Sequence, residues 1–70
     1  MDNLIATRDV QIERKHFIIE FRENDRGRFV RITEEAHGRR NAVIIPSTGL
    51  TEFVEAFDFV VKSSPEASSR

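Results

Sequence analysis

Between Lys15 and Ile45 apolar residues fall mostly at every second position, and from Leu50 onward the spacing changes to three and four. A period of two is that of a strand with one buried face, and a period near 3.6 is that of a helix with one buried stripe. The chain is thereby confined to an α+β fold in which strands come first and one helix comes last. The spacing predicts a first strand over Ala6–Glu13, where Val10 and Ile12 alternate with Asp9 and Gln11. A second, Lys15–Arg22, places Phe17, Ile19 and Phe21 on one face and His16, Ile18, Glu20 and Arg22 on the other. A third, Arg28–Glu35, sets Val30 and Ile32 against Phe29, Arg31 and Thr33, and a fourth, Ala42–Ile45, is closed by Pro46.

Turn-forming residues punctuate these strands. Glu23–Gly27 reads as a hairpin turn in which Asn24, Asp25 and Gly27 can take positive φ, and His37–Asn41 reads as a polar turn. From Leu50 to Lys62 the residues Leu50, Phe53, Val54, Phe57 and Val61 form one helical stripe. Ser47 or Thr48 is expected to cap its first turn, with Glu52 and Lys62 complementing the helix dipole. Phe59 and Val60 widen the apolar surface beyond what one small sheet needs, which points to packing on a second subunit. Ser63–Arg70 reads by composition as a disordered tail, so the expected domain is residues 1–62.

Seventy residues make one domain, and a domain of this size buries only about 60% of its unfolded surface, so some further source of stability is expected. Without cysteine there is neither a disulfide nor a thiolate metal site, which leaves oligomerisation. No segment has the length of a membrane span, and the expectation is a soluble, cytoplasmic or nucleoid-associated protein. The net charge of −1 does not mark a nucleic-acid binder, so any such role must rest on distribution. Basic residues lean toward the N-terminal part, with nine against eight acidic up to Ser47 and two against four thereafter.

A four-stranded antiparallel sheet with one helix is expected to have one face covered by that helix and one free. If Phe17, Ile19, Phe21, Val30 and Ile32 face the helix, the free face carries Ile18, Glu20, Arg22, Phe29, Arg31 and Thr33. A phenylalanine among arginines, beside a turn carrying Asn24 and Arg26, suits base stacking, worth about 1–3 kcal/mol per base. Arginines would neutralise phosphate, and Asn24 would meet base edges. The same Phe29 is equally consistent with a dimer contact or a lone exposed apolar residue.

The run Lys15-His-Phe-Ile-Ile-Glu-Phe-Arg-Glu-Asn-Asp-Arg-Gly-Arg-Phe-Val-Arg-Ile-Thr-Glu34 resembles the centre of a repeat of the Pur-alpha (PUR) family. The similarity extends upstream through Ala6–Ile12 and downstream through Ile44–Pro46 and Gly49–Phe53, and covers Leu4 to Val61. What it implies is a ββββα repeat of the Whirly-like kind, two of which intertwine by exchanging helices. With one repeat in this sequence, the pair would be a homodimer joined through Phe53, Phe57, Phe59 and Val60. The family binds purine-rich single-stranded DNA and RNA and separates strands. Its contacts map onto Arg22, Asn24, Arg26 and the stacking Phe29; Arg31, from its place on the same face, is expected as a further phosphate ligand. Its Gln-Ser-Lys motif falls on Glu13, Arg14 and Lys15, of which only Lys15 matches, with Arg14 able to hold phosphate in place of the missing donors.

No catalytic constellation is present, so neither an enzyme, a cofactor nor a small-molecule substrate is expected. His16 and His37 lack companion metal ligands, Glu34 and Glu35 point to opposite faces, and Gly38 and Gly49 fit no phosphate loop. Two readings follow. The first is a homodimeric binder of single-stranded nucleic acid that regulates transcription or translation or separates strands. The second is a protein-interaction module of the same fold with little nucleic-acid affinity, favoured by the net charge and the acidic residues on the sheet.

Overall fold

The computed structural model of the protein describes residues 2–63. Four strands, β1 (Asn3–Ile12), β2 (Lys15–Asn24), β3 (Gly27–Ala36) and β4 (Arg39–Pro46), are followed by a 3-10 turn (Ser47–Gly49) and the helix α1 (Leu50–Lys62). The strands form one antiparallel meander in the order β1-β2-β3-β4. Fold class, strand order and helix bounds match the sequence reading; the tail beyond Ser63 lies outside the described residues.

The strands run longer than the alternation alone indicates because each hairpin turns on two residues. Ile12 pairs with Lys15, Asn24 with Gly27, and Ala36 with Arg39. Left-handed backbone at His37 (φ 54°) and Gly38 (φ 73°) gives the third turn the twist that two-residue hairpins favour, and Glu13 (φ 55°) takes the same conformation in the first. The second hairpin differs from expectation: of its residues only Gly27 (φ 133°) has positive φ. Asn24 instead accepts the Arg26 backbone N–H on Oδ1 at 2.9 Å, closing the turn through its side chain. In β1 the register slips between Leu4 and Ala6, so one extra residue there bends the edge strand.

The helix start also departs from the sequence reading. Neither Ser47 nor Thr48 caps with its side chain; Pro46 leads into the 3-10 turn, and the Leu50 N–H bonds back to the Ser47 carbonyl, so backbone bonding replaces the side-chain cap. Glu52 in the first turn and Lys62 in the last complement the dipole as expected.

Register divides the sheet into two unlike faces. One carries Val10, Ile12, Phe17, Ile19, Phe21, Val30, Ile32, Val43 and Ile45. The other carries Asp9, His16, Ile18, Glu20, Arg22, Phe29, Arg31, Thr33, Glu35 and Arg40. The expectation that α1 covers the apolar face of its own sheet is not met. The helix packs on the 3-10 turn and on β4 and makes at most marginal contact with the other strands. Its short connection, one 3-10 turn after Pro46, carries it past the end of β4 instead of back across the sheet.

As a result, among the described residues no apolar side chain is buried; Val43 stays 57% exposed and Phe59 73%. The Cα radius of gyration, 14.0 Å, exceeds the roughly 11 Å of a compact domain of this length. Hydrophobic burial is the main force opposing chain entropy, and this fold retains little of it within one chain. The thermal unfolding midpoint, followed by circular dichroism over about a hundredfold range of protein concentration, is therefore expected to rise with concentration, as mass action requires of an associated folded state. A midpoint independent of concentration would show that one chain suffices.

Candidate nucleic-acid interface

The polar face is organised around Glu20, opposite Arg31 in the register and two residues before Arg22 on β2. Strand alternation puts all three side chains on one surface. Glu20 Oε1 accepts from Arg31 Nε at 2.9 Å, and Oε2 accepts from Arg22 Nη1 at 3.0 Å. Glu20 and Arg22 are only 16% and 18% exposed, so the pair is better shielded than a surface salt bridge. Arg22 Nε has no hydrogen-bond partner among the described residues, with the Asp2 carboxylate 3.5 Å away. Thr33, 7% exposed, sits deeper in the same face.

Phe29 stands opposite Arg22 on β2 and Pro46 on β4, half-buried between them. With Asn24, Arg26, Gly27, Arg28, Ile44 and Pro46 it lines an open hollow of about 470 Å3. Asn24 Oδ1 is committed to the turn, which leaves its amide N–H groups as donors. Arg26 has no acidic partner among the described residues, whereas Arg28 is paired with Glu23 at 3.6 Å and its guanidinium lies 6.0 Å from the Phe21 ring centre. Four sequence-predicted residues, Arg22, Asn24, Arg26 and Phe29, thus meet at the β2–β3 hairpin end, and Arg31 adjoins them through Glu20.

Arg14 and Lys15 do not join this group. They lie at the opposite end of β2, about 30 Å away at about 3.4 Å per residue. Lys15 projects to the apolar face, where its Nζ pairs with Glu34 at 3.0 Å, while Arg14 in the first turn has no acidic partner among the described residues. Of the five cations singled out from sequence, three are therefore already neutralised. Sequence reasoning missed the clamp, although Glu20, Arg22 and Arg31 follow from alternation once strands two and three are paired. It also missed Ile44 and Pro46, whose place beside Phe29 depends on the β3–β4 register.

A second polar group crosses the sheet at that far end. His16 Nε2 lies 2.7 Å from Asp9 Oδ2 and Nδ1 lies 3.3 Å from Glu35 Oε1, while Arg40 donates from Nε to Glu35 Oε2 at 2.8 Å. The Asp9 carboxylate chiefly, and Glu35 after it, raise the His16 pKa above its ordinary 6.5. Arg40 first and His16 second lower the Glu35 pKa below its ordinary 4.5. Phe53, Phe57, Phe59 and Val60 are all exposed on α1.

Against this geometry, the chain matches the family profile described as PurA ssDNA and RNA-binding protein over residues 2–66. It is similar to the Arabidopsis thaliana protein named Transcription factor Pur-alpha 1, with 34% identity over 59 residues, which is 84% of this chain and 20% of that protein. It is also similar to Transcriptional activator plp-1 of Caenorhabditis elegans, with 37% identity over 57 residues, 79% of this chain and 25% of that protein. The chain therefore spans between a fifth and a quarter of the length of these relatives.

Two outcomes follow from the electrostatics. Glu20→Ala leaves two half-buried guanidiniums without their shared carboxylate and is expected to lower stability by about 1–2 kcal/mol in urea unfolding. His16, with its raised pKa, contributes stability that is full below pH 6.5 and is lost as pH rises through its higher folded-state value. Thermal midpoints measured between about pH 6 and pH 8 should fall for the wild type and stay level for His16→Asn.

Proposed function

The chain belongs to the PurA family of single-stranded DNA- and RNA-binding proteins, and from that membership we propose that it binds purine-rich single-stranded nucleic acid as a homodimer. The family is one of nucleic-acid binders and not of enzymes. The observation that carries the reading is the convergence of Phe29, Asn24 and Arg26 on one open hollow of the polar face. An aromatic ring there offers stacking that any base accepts, Arg26 offers an unpaired cation for phosphate, and the Asn24 amide offers donors to a base edge. Arg22 and Arg31 reinforce the field behind Phe29, and Arg14 with Lys15 extends the cationic track at the far end. A ring entering between bases at a fork replaces part of their lost stacking, which is how strand separation would follow from binding.

Residues 1–62 form one repeat in this reading, and a second copy supplies the other. The support is physical: an uncovered apolar sheet face and an uncovered apolar helix in the same chain are complementary surfaces. In the pair, Phe53, Phe57, Phe59 and Val60 lie against the partner, and the polar faces remain open to ligand. Control of transcription or translation in the cytoplasm or nucleoid is the role that such binding serves. Among the described residues no helix is long and apolar enough to cross a membrane.

A protein-interaction module remains the competing reading, and the pairing of Arg22 and Arg31 with Glu20 and of Lys15 with Glu34 is what favours it. Fluorescence anisotropy with a labelled purine-rich strand, as DNA and as RNA, separates the two. Wild-type affinity should fall steeply with salt, and Phe29→Ala should weaken binding about tenfold or more through loss of one stacking contact. Absence of binding by wild type at low salt would refute the proposal and leave the interaction module.

A further inference from the structure

At the end of the sheet remote from Phe29, His16, Glu35 and Arg40 stand in one row on the polar face, and Asp9 on β1 reaches His16 diagonally from the next position on that face. Both imidazole nitrogens of His16 lie within hydrogen-bond distance of a carboxylate oxygen. A neutral imidazole has one N–H and one lone pair, so it satisfies only one of these carboxylates and sets its lone pair against the other. The row is satisfied as it stands only by the imidazolium, which donates in both directions.

His16, Glu35 and Arg40 form one wall of an open hollow of about 480 Å3, lined also by Gln11 from β1, Arg14 from the first turn and His37, Gly38 and Arg39 at the third. Arg14 and Arg39 have no acidic partner among the described residues. The balance of charge around it is close. Arg14, Lys15, Arg39 and Arg40 face Asp9, Glu13, Glu34 and Glu35, so this end is neutral while both histidines are neutral and positive once His16 carries a proton. Imidazolium beside Glu35 offsets the carboxylate that otherwise competes for Arg40.

We propose that this end of the sheet is a second anchor for the phosphate backbone of the strand bound at Phe29, formed by Arg14, Arg39 and Arg40 and switched on by protonation of His16. The proposal rests on the nucleic-acid reading given above and adds to it the third turn and a proton. Its geometry suits one continuous ligand, since the row of Glu35 is six residues from Phe29 along β3, about 20 Å on the same face. A strand of modest length spans that distance, within the roughly 4–16 nucleotides that small single-strand-binding modules cover. Because Asp9 and Glu35 already raise the His16 pKa, the switch operates above pH 6.5.

The test is anisotropy titration of labelled single strands of about 4 and about 12 nucleotides, at about pH 6 and pH 8 and over a range of salt. Wild type is compared with Phe29→Ala, His16→Gln, Arg39→Gln and the double variant Arg39→Gln/Arg40→Gln, each checked by circular dichroism for an unchanged fold at both pH values. Affinity of the wild type for the longer strand should fall about threefold to tenfold from the lower pH to the higher, the effect of one charge at a partly screened site. His16→Gln should bind with the weaker affinity at both. The double variant should lose the pH dependence, and its plot of log affinity against log salt should flatten by about 0.7 for each phosphate contact removed. Arg39→Gln, which breaks no ion pair, should show part of both effects, and the short strand should bind independently of pH yet still need Phe29. Binding of the longer strand that is independent of pH, or pH dependence that persists in the double variant, would overturn the second anchor while leaving the Phe29 site intact. Failure of every strand to bind at either pH would overturn the nucleic-acid reading itself.

Discussion

The rest of the structure depends on where its apolar surface can go. A single four-stranded sheet has two faces, and the one lined by Phe17, Ile19, Phe21, Val30, Ile32 and Val43 needs a cover. The helix that could supply it begins one 3-10 turn after Pro46 and runs on past β4, so the chain displays two apolar surfaces and joins neither to the other. Water contact on that scale is costly at about 25 cal/mol per Å2 of apolar area. The proposed association with a second copy would relieve both surfaces at once, since each copy offers what the other lacks. Assigning one face to association leaves the opposite face, with Phe29 and the arginines, as the surface on which a ligand can act.

On that polar face the protein's own charges pair first. Glu20 draws Arg22 and Arg31 together and Glu35 holds Arg40, while Glu34 holds Lys15 on the apolar face. These pairs fix long side chains that would otherwise lose conformational freedom only when a ligand arrives. Among the described residues the cations left without an acidic partner are Arg8 within β1 and Arg14, Arg26 and Arg39, which belong to the turns or lie next to one. Paired charges thus largely cancel across the sheet while three of the free guanidiniums stand near its ends, which is why a net charge of −1 gives so little indication of where they lie.

Much of this was legible in the sequence because the periodicities are strong. The helix Leu50–Lys62 and the sharing of one face by Glu20, Arg22, Phe29 and Arg31 follow directly from spacing. Features decided by other parts of the chain were less accessible. Strand ends depended on turns of two residues, and a turn closed by Asn24 Oδ1 needs no positive φ at Asn24 or Asp25. Ser47 and Thr48 look like caps in isolation, but Pro46 directs the chain into a 3-10 turn that satisfies the helix start through backbone groups. The Asp9–His16–Glu35–Arg40 group escaped notice because it needs three strand registers together, and its central pair, His16 and Glu35, is 19 residues apart.

Pairing of the arginines with carboxylates also bears on selectivity. A phosphate that approaches Arg22 or Arg31 must share the guanidinium with Glu20, so electrostatic attraction there is partly offset before contact begins. Non-specific affinity for nucleic acid, which is almost wholly phosphate-driven, is weakened accordingly. Stacking on Phe29 is not offset in this way, because no charge competes for the face of the ring. In the proposed binding mode the ratio of the two contributions would favour strands whose bases are free to leave their own stack over duplexes that present only phosphates. On the proposed function, a surface of this composition would discriminate by base accessibility, because its acidic residues restrain the arginines beside the ring.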